Sequence, residues 1–287
     1  MNDLQINVAA LTDVGRVRNV NEDACSITDL DTGRRFEPAA ASSSIDVGPR
    51  GLLLLLSDGM GGHAAGEVAS TMLLDSLREA LGGLTDRDSI VPGLTAAVRA
   101  ANAEILDAAK EEGRRGMGAT LTALLFRPHE ATIAEVGDSR AYLLREGTLH
   151  QLTRDQSLVQ FLVDHGALTP EAAKTSKRKN VLLQAVGIGE EVQTAIGRLK
   201  LRRKDRFLLC CDGLSNAIPD DELKSLLEGA DPAEVCRRMV ELANERGGAD
   251  NLTAIVAHVD GKGLEEPSPT ETLSGTFEVL QSFTGAT

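Results

Sequence analysis

The chain has 287 residues, 42% of them hydrophobic and 25% charged, a globular balance that supports one large core rather than disorder. Its 30 basic and 43 acidic residues give a net charge of −13, which opposes binding to nucleic acid or anionic lipid through a general positive surface. With aromatics at 2% and no Trp there is no base-stacking platform, and no apolar run approaches the roughly 20 residues of a membrane span.

Taken in chain order, the N-terminal MNDLQINVAALTD has no basic region ahead of its apolar residues and does not read as a secretory signal. A cytoplasmic location is expected. Apolar, β-rich stretches come at 4–11, 24–30 and 51–57, followed by helical periodicity at 66–81 and 90–112. Further strands are expected at 119–126, 131–137 and 140–145, then helices at 156–165 and 170–175. Strands at 196–201 and 206–211, helices at 220–228 and 232–246, and a strand at 252–259 complete the series. Asp231-Pro232 is a start signal for the last helix and Gly247-Gly248 a stop. The helices arrive in pairs between groups of strands, without strict βαβα alternation. This predicts an α+β fold, two mostly antiparallel sheets packed face to face with helices outside. Residues 31–49 read as an inserted loop, and 261–287, rich in Glu, Ser, Thr, Pro and Gly, as a flexible tail.

The four cysteines, Cys25, Cys210, Cys211 and Cys236, form no CxxC pair and no zinc spacing. They read as reduced, partly buried small hydrophobes. No Cys-x5-Arg phosphatase signature, GxSxG elbow, GxxxxGK[ST] loop or HExxH is present.

The most apolar run, GLLLLL, ends on Ser57-Asp58-Gly59. Asp212 likewise follows RFLLCC, and Asp138 follows ATIAEVG. Asp23 precedes ACSITDL, and Asp250-Asn251 precedes LTAIVAHV. A single aspartate beside a glycine is usually a turn. Five carboxylates where buried strands meet loops are a different matter, because burying unpaired charge is costly. If the strand ends converge, cations must offset the repulsion, and hard oxygen donors select Mg²⁺, Mn²⁺ or Ca²⁺ over zinc. A glycine beside the aspartate lets backbone carbonyl approach an ion closely.

In the same order, RVRNVNEDA (16–24), SDGMGGHAAGEVAS (57–70), GATLTALLF (118–126), VGDSRAYLLR (136–145), LTRDQSLV (152–159), CCDGLSN (210–216) and GGADNLTAIVAHV (247–259) resemble the motifs of metal-dependent protein phosphatases of the protein phosphatase 2C family, in a bacterial form. The resemblance covers about residues 5–260. It implies a four-layer α-β-β-α sandwich, with residues 1–260 as the catalytic domain and 164–190 as a variable flap. It also implies a cytoplasmic signalling hydrolase acting on phosphoserine and phosphothreonine in proteins and opposing a bacterial Ser/Thr kinase. A monomer is expected, with no nucleic-acid or membrane partner.

By the same resemblance Asp58 bridges two Mn²⁺ or Mg²⁺ ions, with the Gly59 carbonyl on one and Asp212 and Asp250 on the other. Asp138 matches a weaker third site. Glu22 and Asp23 match acidic residues holding metal-bound water, so Asp23 belongs with the metal set and Glu22 behind it. Asn251 and Ser139 brace the site by hydrogen bonding. A hydroxide bridging the ions attacks the phosphoryl group directly, and Arg18 holds the phosphate with its planar fork.

Some correspondences fail. Met60 stands where some relatives carry a candidate general-acid His, and Gln156 replaces the His of a common Asp-His-Ser. His63 is read as helix cap or cleft lining. The basic cluster Lys174, Lys177, Arg178 and Lys179 is either a greeting surface for phosphorylated substrate or a solvated loop. Thr270, Thr272, Ser274 and Thr276 are candidate phosphorylation sites in the tail. Rival readings are a pseudo-phosphatase binding module, an enzyme for another phosphoester, and a structural calcium binder. The last lacks the EF-hand pattern, and the intact ligand positions disfavour the first.

Overall fold

The run Leu52–Leu56 answers its own question once the chain is folded. Leu52, Leu54 and Leu56 pack into one apolar cluster and Leu53 and Leu55 into another, and all five are fully buried. A strand covered on both faces needs apolar side chains at every position rather than at alternate ones. The structure, a computed structural model, describes residues 4–38, 41–62, 64–83, 89–268 and 271–285. His63 and Thr270 lie outside the described residues.

The elements run β1 (Gln5–Asp13), β2 (Asp23–Asp29), β3 (Arg35–Phe36), β4 (Ser43–Asp46), β5 (Leu52–Met60), α1 (Ala64–Gly82) and α2 (Ile90–Ala108). Then come β6 (Gly118–Ala119), β7 (Leu121–Arg127), β8 (Glu130–Val136), β9 (Arg140–Arg145) and β10 (Thr148–Gln151). After α3 (Leu158–Asp164) and α4 (Pro170–Lys174) follow β11 (Ala195–Lys200), β12 (Arg206–Cys210), α5 (Asp212–Ala217), α6 (Asp220–Leu227) and α7 (Pro232–Glu245). The chain closes with β13 (Leu252–Asp260), α8 (Leu273–Thr276) and β14 (Phe277–Gln281).

One sheet has the order β10-β9-β12-β13-β1-β4, the other β14-β11-β8-β7-β5-β2-β3, with β6 paired to β5. Every named pairing is antiparallel. The sheets meet face to face across Phe126 and Phe207, whose rings sit edge to face at 5.1 Å. Helices α1 and α2 cover the outer face of the larger sheet through Leu73, Leu77, Leu94 and Val98. Helix α7 covers the other sheet through Cys236, Met239 and Ala243, capped at its start by Asp231. The four-layer α-β-β-α expectation is met.

Two expectations are corrected. Residues 31–49 are not wholly irregular, because β3 pairs with β2 and β4 with β1. Nor is the segment beyond Asp260 a free tail. Strand β14 pairs with β11, whose backbone would otherwise form an open sheet edge. Phe277 lies over Gly197, where a Cβ would stand 2.5 Å from its ring. Arg202 forks Glu271 at 2.9 and 2.6 Å, and buried Arg145 donates to the Thr276 hydroxyl at 2.9 Å. Thr276 is thus buried and bonded, while the Thr272 and Ser274 hydroxyls are exposed and face each other at 3.0 Å.

Candidate active site

Strand pairing does most of the work of assembly. In the β2–β5 register Asp23 lies directly opposite Asp58. Asp138 stands in the turn between β8 and β9, Asp212 opens α5, and Asp250 ends the loop before β13. With Arg18, Glu22, Gly59 and Asn251, the last four of these aspartates (Asp58, Asp138, Asp212 and Asp250) line one cleft of about 270 Å³. Asp23 lies just beneath it, 8% exposed. Five separate segments of chain, counting that of Glu22 and Asp23, therefore bring their carboxylates together.

The backbone approaches are close. A Cβ on Gly59 would sit 2.1 Å from the Gly66 carbonyl oxygen, so only glycine lets α1 begin against β5 here. Gly213 is held as tightly, with a Cβ there 2.2 Å from the Asn251 carbonyl oxygen. Asn251 is the brace: its Oδ1 accepts the Glu22 N–H at 2.9 Å, and its Nδ2 donates to the Val14 and Val20 carbonyls at 3.0 Å each. The Glu22 carbonyl in turn accepts from the Gly59 N–H (3.1 Å) and the Ser70 hydroxyl (2.7 Å). Arg18 is exposed at the rim, its Nη2 donating to Asp250 Oδ2 at 2.9 Å with Glu22 Oε2 3.9 Å from Nη1.

Electrostatics mark the cleft as unbalanced. Burial, then the charges of Asp23, Asp212, Asp138 and Asp250, push the Asp58 carboxyl well above the usual range. Burial lifts Asp138 to about 8, with Asp212 adding to the rise, and Asp23 to about 7 despite the Thr253 hydroxyl. Asp212 is raised by burial and Asp250. Asp23 Oδ1, out of solvent, accepts no hydrogen bond. Among the described residues no group of three or more acidic, His or Cys side chains is gathered closely enough to hold a metal ion by itself. The donors instead ring an open cleft, and a divalent hard cation keeps water at its remaining positions. Crowded oxygen donors with one rim arginine among them fit Mg²⁺ or Mn²⁺.

Three residues that sequence reasoning passed over hold this arrangement. Thr120 accepts the Asp58 N–H at 3.0 Å and meets the Ser139 hydroxyl at 2.8 Å. Thr253 donates to Asp23 Oδ2 at 2.6 Å, and Cys211 Sγ accepts the Thr253 N–H at 3.1 Å. Threonines fully or nearly buried within apolar strands were the available signal, since a buried hydroxyl needs a partner. Ser57 bonds the Thr120 carbonyl and Ser215 the Asp212 carbonyl, so neither is set up as a nucleophile.

The departures also find places. Met60 is exposed on the cleft lip. Gln156, 2% exposed, accepts the Gly137 N–H beside Asp138 at 2.7 Å and the Gln184 amide at 2.7 Å. It works as a bracket between the Asp138 turn and the flap, a role that requires no titration. The flap reaches the cleft with Asn180 and Leu182, and the charge of Lys179 is felt at Asp212. Lys174, Lys177 and Arg178 are exposed.

The family model described as protein phosphatase 2C matches residues 40–257. Serine/threonine protein phosphatase PstP of Mycobacterium tuberculosis is 40% identical over 260 residues, covering 89% of this chain and 45% of PstP. The chain thus spans less than half the length of that relative. Serine/threonine phosphatase stp of Listeria monocytogenes is 37% identical over 258 residues, covering 87% of this chain and 94% of stp. A crystal structure of the PstP catalytic domain in complex with two manganese ions aligns with a TM-score of 0.74 and 38% identity, covering 90% of this chain and 99% of that one.

Proposed function

This chain belongs to the protein phosphatase 2C family, and from that premise we propose that it is a metal-dependent phosphatase removing phosphate from phosphoserine and phosphothreonine in proteins. The single observation carrying this reading is the meeting of carboxylates from five chain segments at one cleft with an arginine on its rim. Asp58, Asp212, Asp250 and the Gly59 carbonyl would hold two Mn²⁺ or Mg²⁺ ions. Asp138 would offer a third site, and Glu22 and Asp23 would hold water beside the ions. When bound, the ions supply an activated water and the positive charge that in-line phosphoryl displacement demands.

The protein's own groups do the rest. Arg18 presents a planar fork to two phosphate oxygens. Its Nη2 donates to Asp250 Oδ2, an oxygen that would also face a bound cation, so the fork stands at the junction of metal ligands and substrate. Asn251 and Thr120 keep the Glu22 and Asp58 backbones in place through the cycle. The flap cations fit a phosphoprotein approaching an otherwise acidic surface, and a Ser/Thr kinase is the enzyme class that supplies such a substrate.

The test is Mn²⁺-dependent phosphate release from a phosphothreonine peptide, run beside a simple aryl phosphate. Faster release from the peptide, abolished by chelator, is expected. Release that survives the chelator, or none from any phosphopeptide, would refute the reading.

A further inference from the structure

Large apolar side chains that stand exposed are few in this chain, and they are not scattered. Among the described residues they are Val17, Val20, Met60, Val181, Ile188 and Val279. All but Val279 belong to segments that frame the carboxylate cleft: the loop carrying Arg18, the end of β5, and the flap. A single apolar side chain on a surface needs no explanation, but a group of them round a site marks a contact.

Met60 and Ile188 form the tightest part of this group. Met60 follows Gly59 directly and lines the cleft. In the β5–β6 register it lies opposite Gly118, and residues opposed in an antiparallel pair project on the same face. A Cβ on Gly118 would stand 2.8 Å from Ile188 Cδ1 and Cγ1. The Ile188 side chain therefore fills the place that a Gly118 side chain would take, beside Met60. Met60 and Leu182 are the apolar side chains lining the cleft, whose other lining residues are glycine, polar or charged.

Ile188 is also held where it is. Asn102 of α2, 2% exposed, accepts the Gly187 N–H on Oδ1 at 2.6 Å and donates from Nδ2 to the Gly189 carbonyl at 2.8 Å. Both neighbours of Ile188 are thus bound to one buried amide. Val186 exchanges backbone hydrogen bonds with Ala119 at 2.9 Å each, which ties the same turn to β6. Gly187, at φ +90°, packs so closely that a Cβ there would lie 2.2 Å from Ile105 Cγ2. An isoleucine 47% exposed gains little for the fold from being fixed in water; the gain comes when another chain covers it.

Resting on the phosphatase reading, we propose that Met60 and Ile188 form an apolar ledge seating a large aliphatic side chain within two residues of the phosphoserine or phosphothreonine. Preferred substrates then carry Leu, Ile, Val or Met close to the modified residue. The occupant follows from continuity with the cleft. Met60 shares that cleft with Arg18, so a segment whose phosphate reaches the guanidinium lays its neighbouring residues along the lip. Arg18, Glu22 and Asp250 are charged, which leaves the ledge as the place where an aliphatic side chain sheds water.

The experiment measures kcat/KM of the full chain in saturating Mn²⁺ on a phosphothreonine peptide with alanine flanks. It is compared with peptides carrying a single Leu one or two places to either side, and with a simple aryl phosphate. Leu in at least one place is expected to raise kcat/KM about tenfold over the alanine peptide, the worth of half-burying such a side chain. Ile188→Ser and Met60→Ser should each bring that ratio toward one, and the ratio cancels any general loss of activity in a variant. Equal rates for Leu and alanine peptides, beside normal Mn²⁺-dependent release, would overturn the ledge and leave the phosphatase reading standing. A Leu preference that survives in both variants would also overturn it. Self-association in sedimentation that Ile188→Ser abolishes, with no Leu preference, would assign the ledge to a second copy instead. No release from any substrate would sink the phosphatase reading and the ledge together.

Discussion

Asp58 and Asp205 are both carboxylates removed from solvent, and the chain treats them in opposite ways. Asp205, fully buried, receives the Arg145 fork at 2.7 and 2.6 Å and the Arg202 N–H at 2.8 Å. Arg145 spends its remaining donors on Thr276 and the Lys200 carbonyl. Burial still raises the Asp205 carboxyl, but Arg145 pulls against it, and the charge is compensated inside the protein. Asp58 faces Asp23 across the register and feels three further aspartates, while the rim Arg18 bonds Asp250 instead. A buried carboxylate paired within the fold holds architecture together, whereas one left among like charges is poised for a cation from outside.

Exchanging the uncompensated carboxylate should have the largest effect. Asp58→Asn or Asp212→Asn is expected to lower phosphopeptide turnover by about 10³-fold or more, as removal of a transition-state electrostatic group does. The same Asp58→Asn should raise the melting temperature of metal-free protein, because it relieves repulsion. Near-normal turnover would break the contrast at once. At the other region Arg145→Ala leaves Asp205 buried and unpaired, with an expected loss of about 3–5 kcal/mol in denaturant unfolding. Activity per folded molecule should stay unchanged.

The pH response separates the two regions further. Asp23 at about 7 and Asp138 at about 8 lie above the unfolded value near 4, so the metal-free fold binds more protons than the unfolded chain. Stability is then greatest below about pH 4 for these groups and falls as pH rises toward about 8. Melting curves in chelator should show this decline, and saturating Mg²⁺ should remove most of it. A flat chelator profile would show that the carboxylates are compensated after all.

Smaller effects sharpen the contrast. Arg18→Ala should raise KM about tenfold with less change in kcat, because a phosphate contact made before the transition state is removed. Steady-state kinetics on one phosphopeptide would detect it. Glu271→Ala breaks a part-exposed pair with Arg202 and should cost under about 1 kcal/mol in the same unfolding assay.

Much of the active region was legible before folding, because the aspartates follow or precede strands whose apolar runs are unmistakable. The leucine run of β5 placed Asp58 at a strand end, and ACSITDL did the same for Asp23. Thr120 and Thr253 escaped notice because their partners lie 62 and 230 residues away in sequence. Gln156 was legible as a missing histidine but not as a bracket, since its partners Gly137 and Gln184 come from a turn and from the flap.

The amino-acid order alone determined most of the segments that become strands and helices, and which carboxylates would stand near their ends, because periodicity and turn chemistry act between near neighbours. Only the tertiary structure decided that residues 277–281 become an edge strand, that Arg145 belongs to Asp205, and that Ile188 comes to rest over Gly118. Those outcomes depend on hydrogen bonds and burial between segments far apart in the chain, which no local pattern encodes.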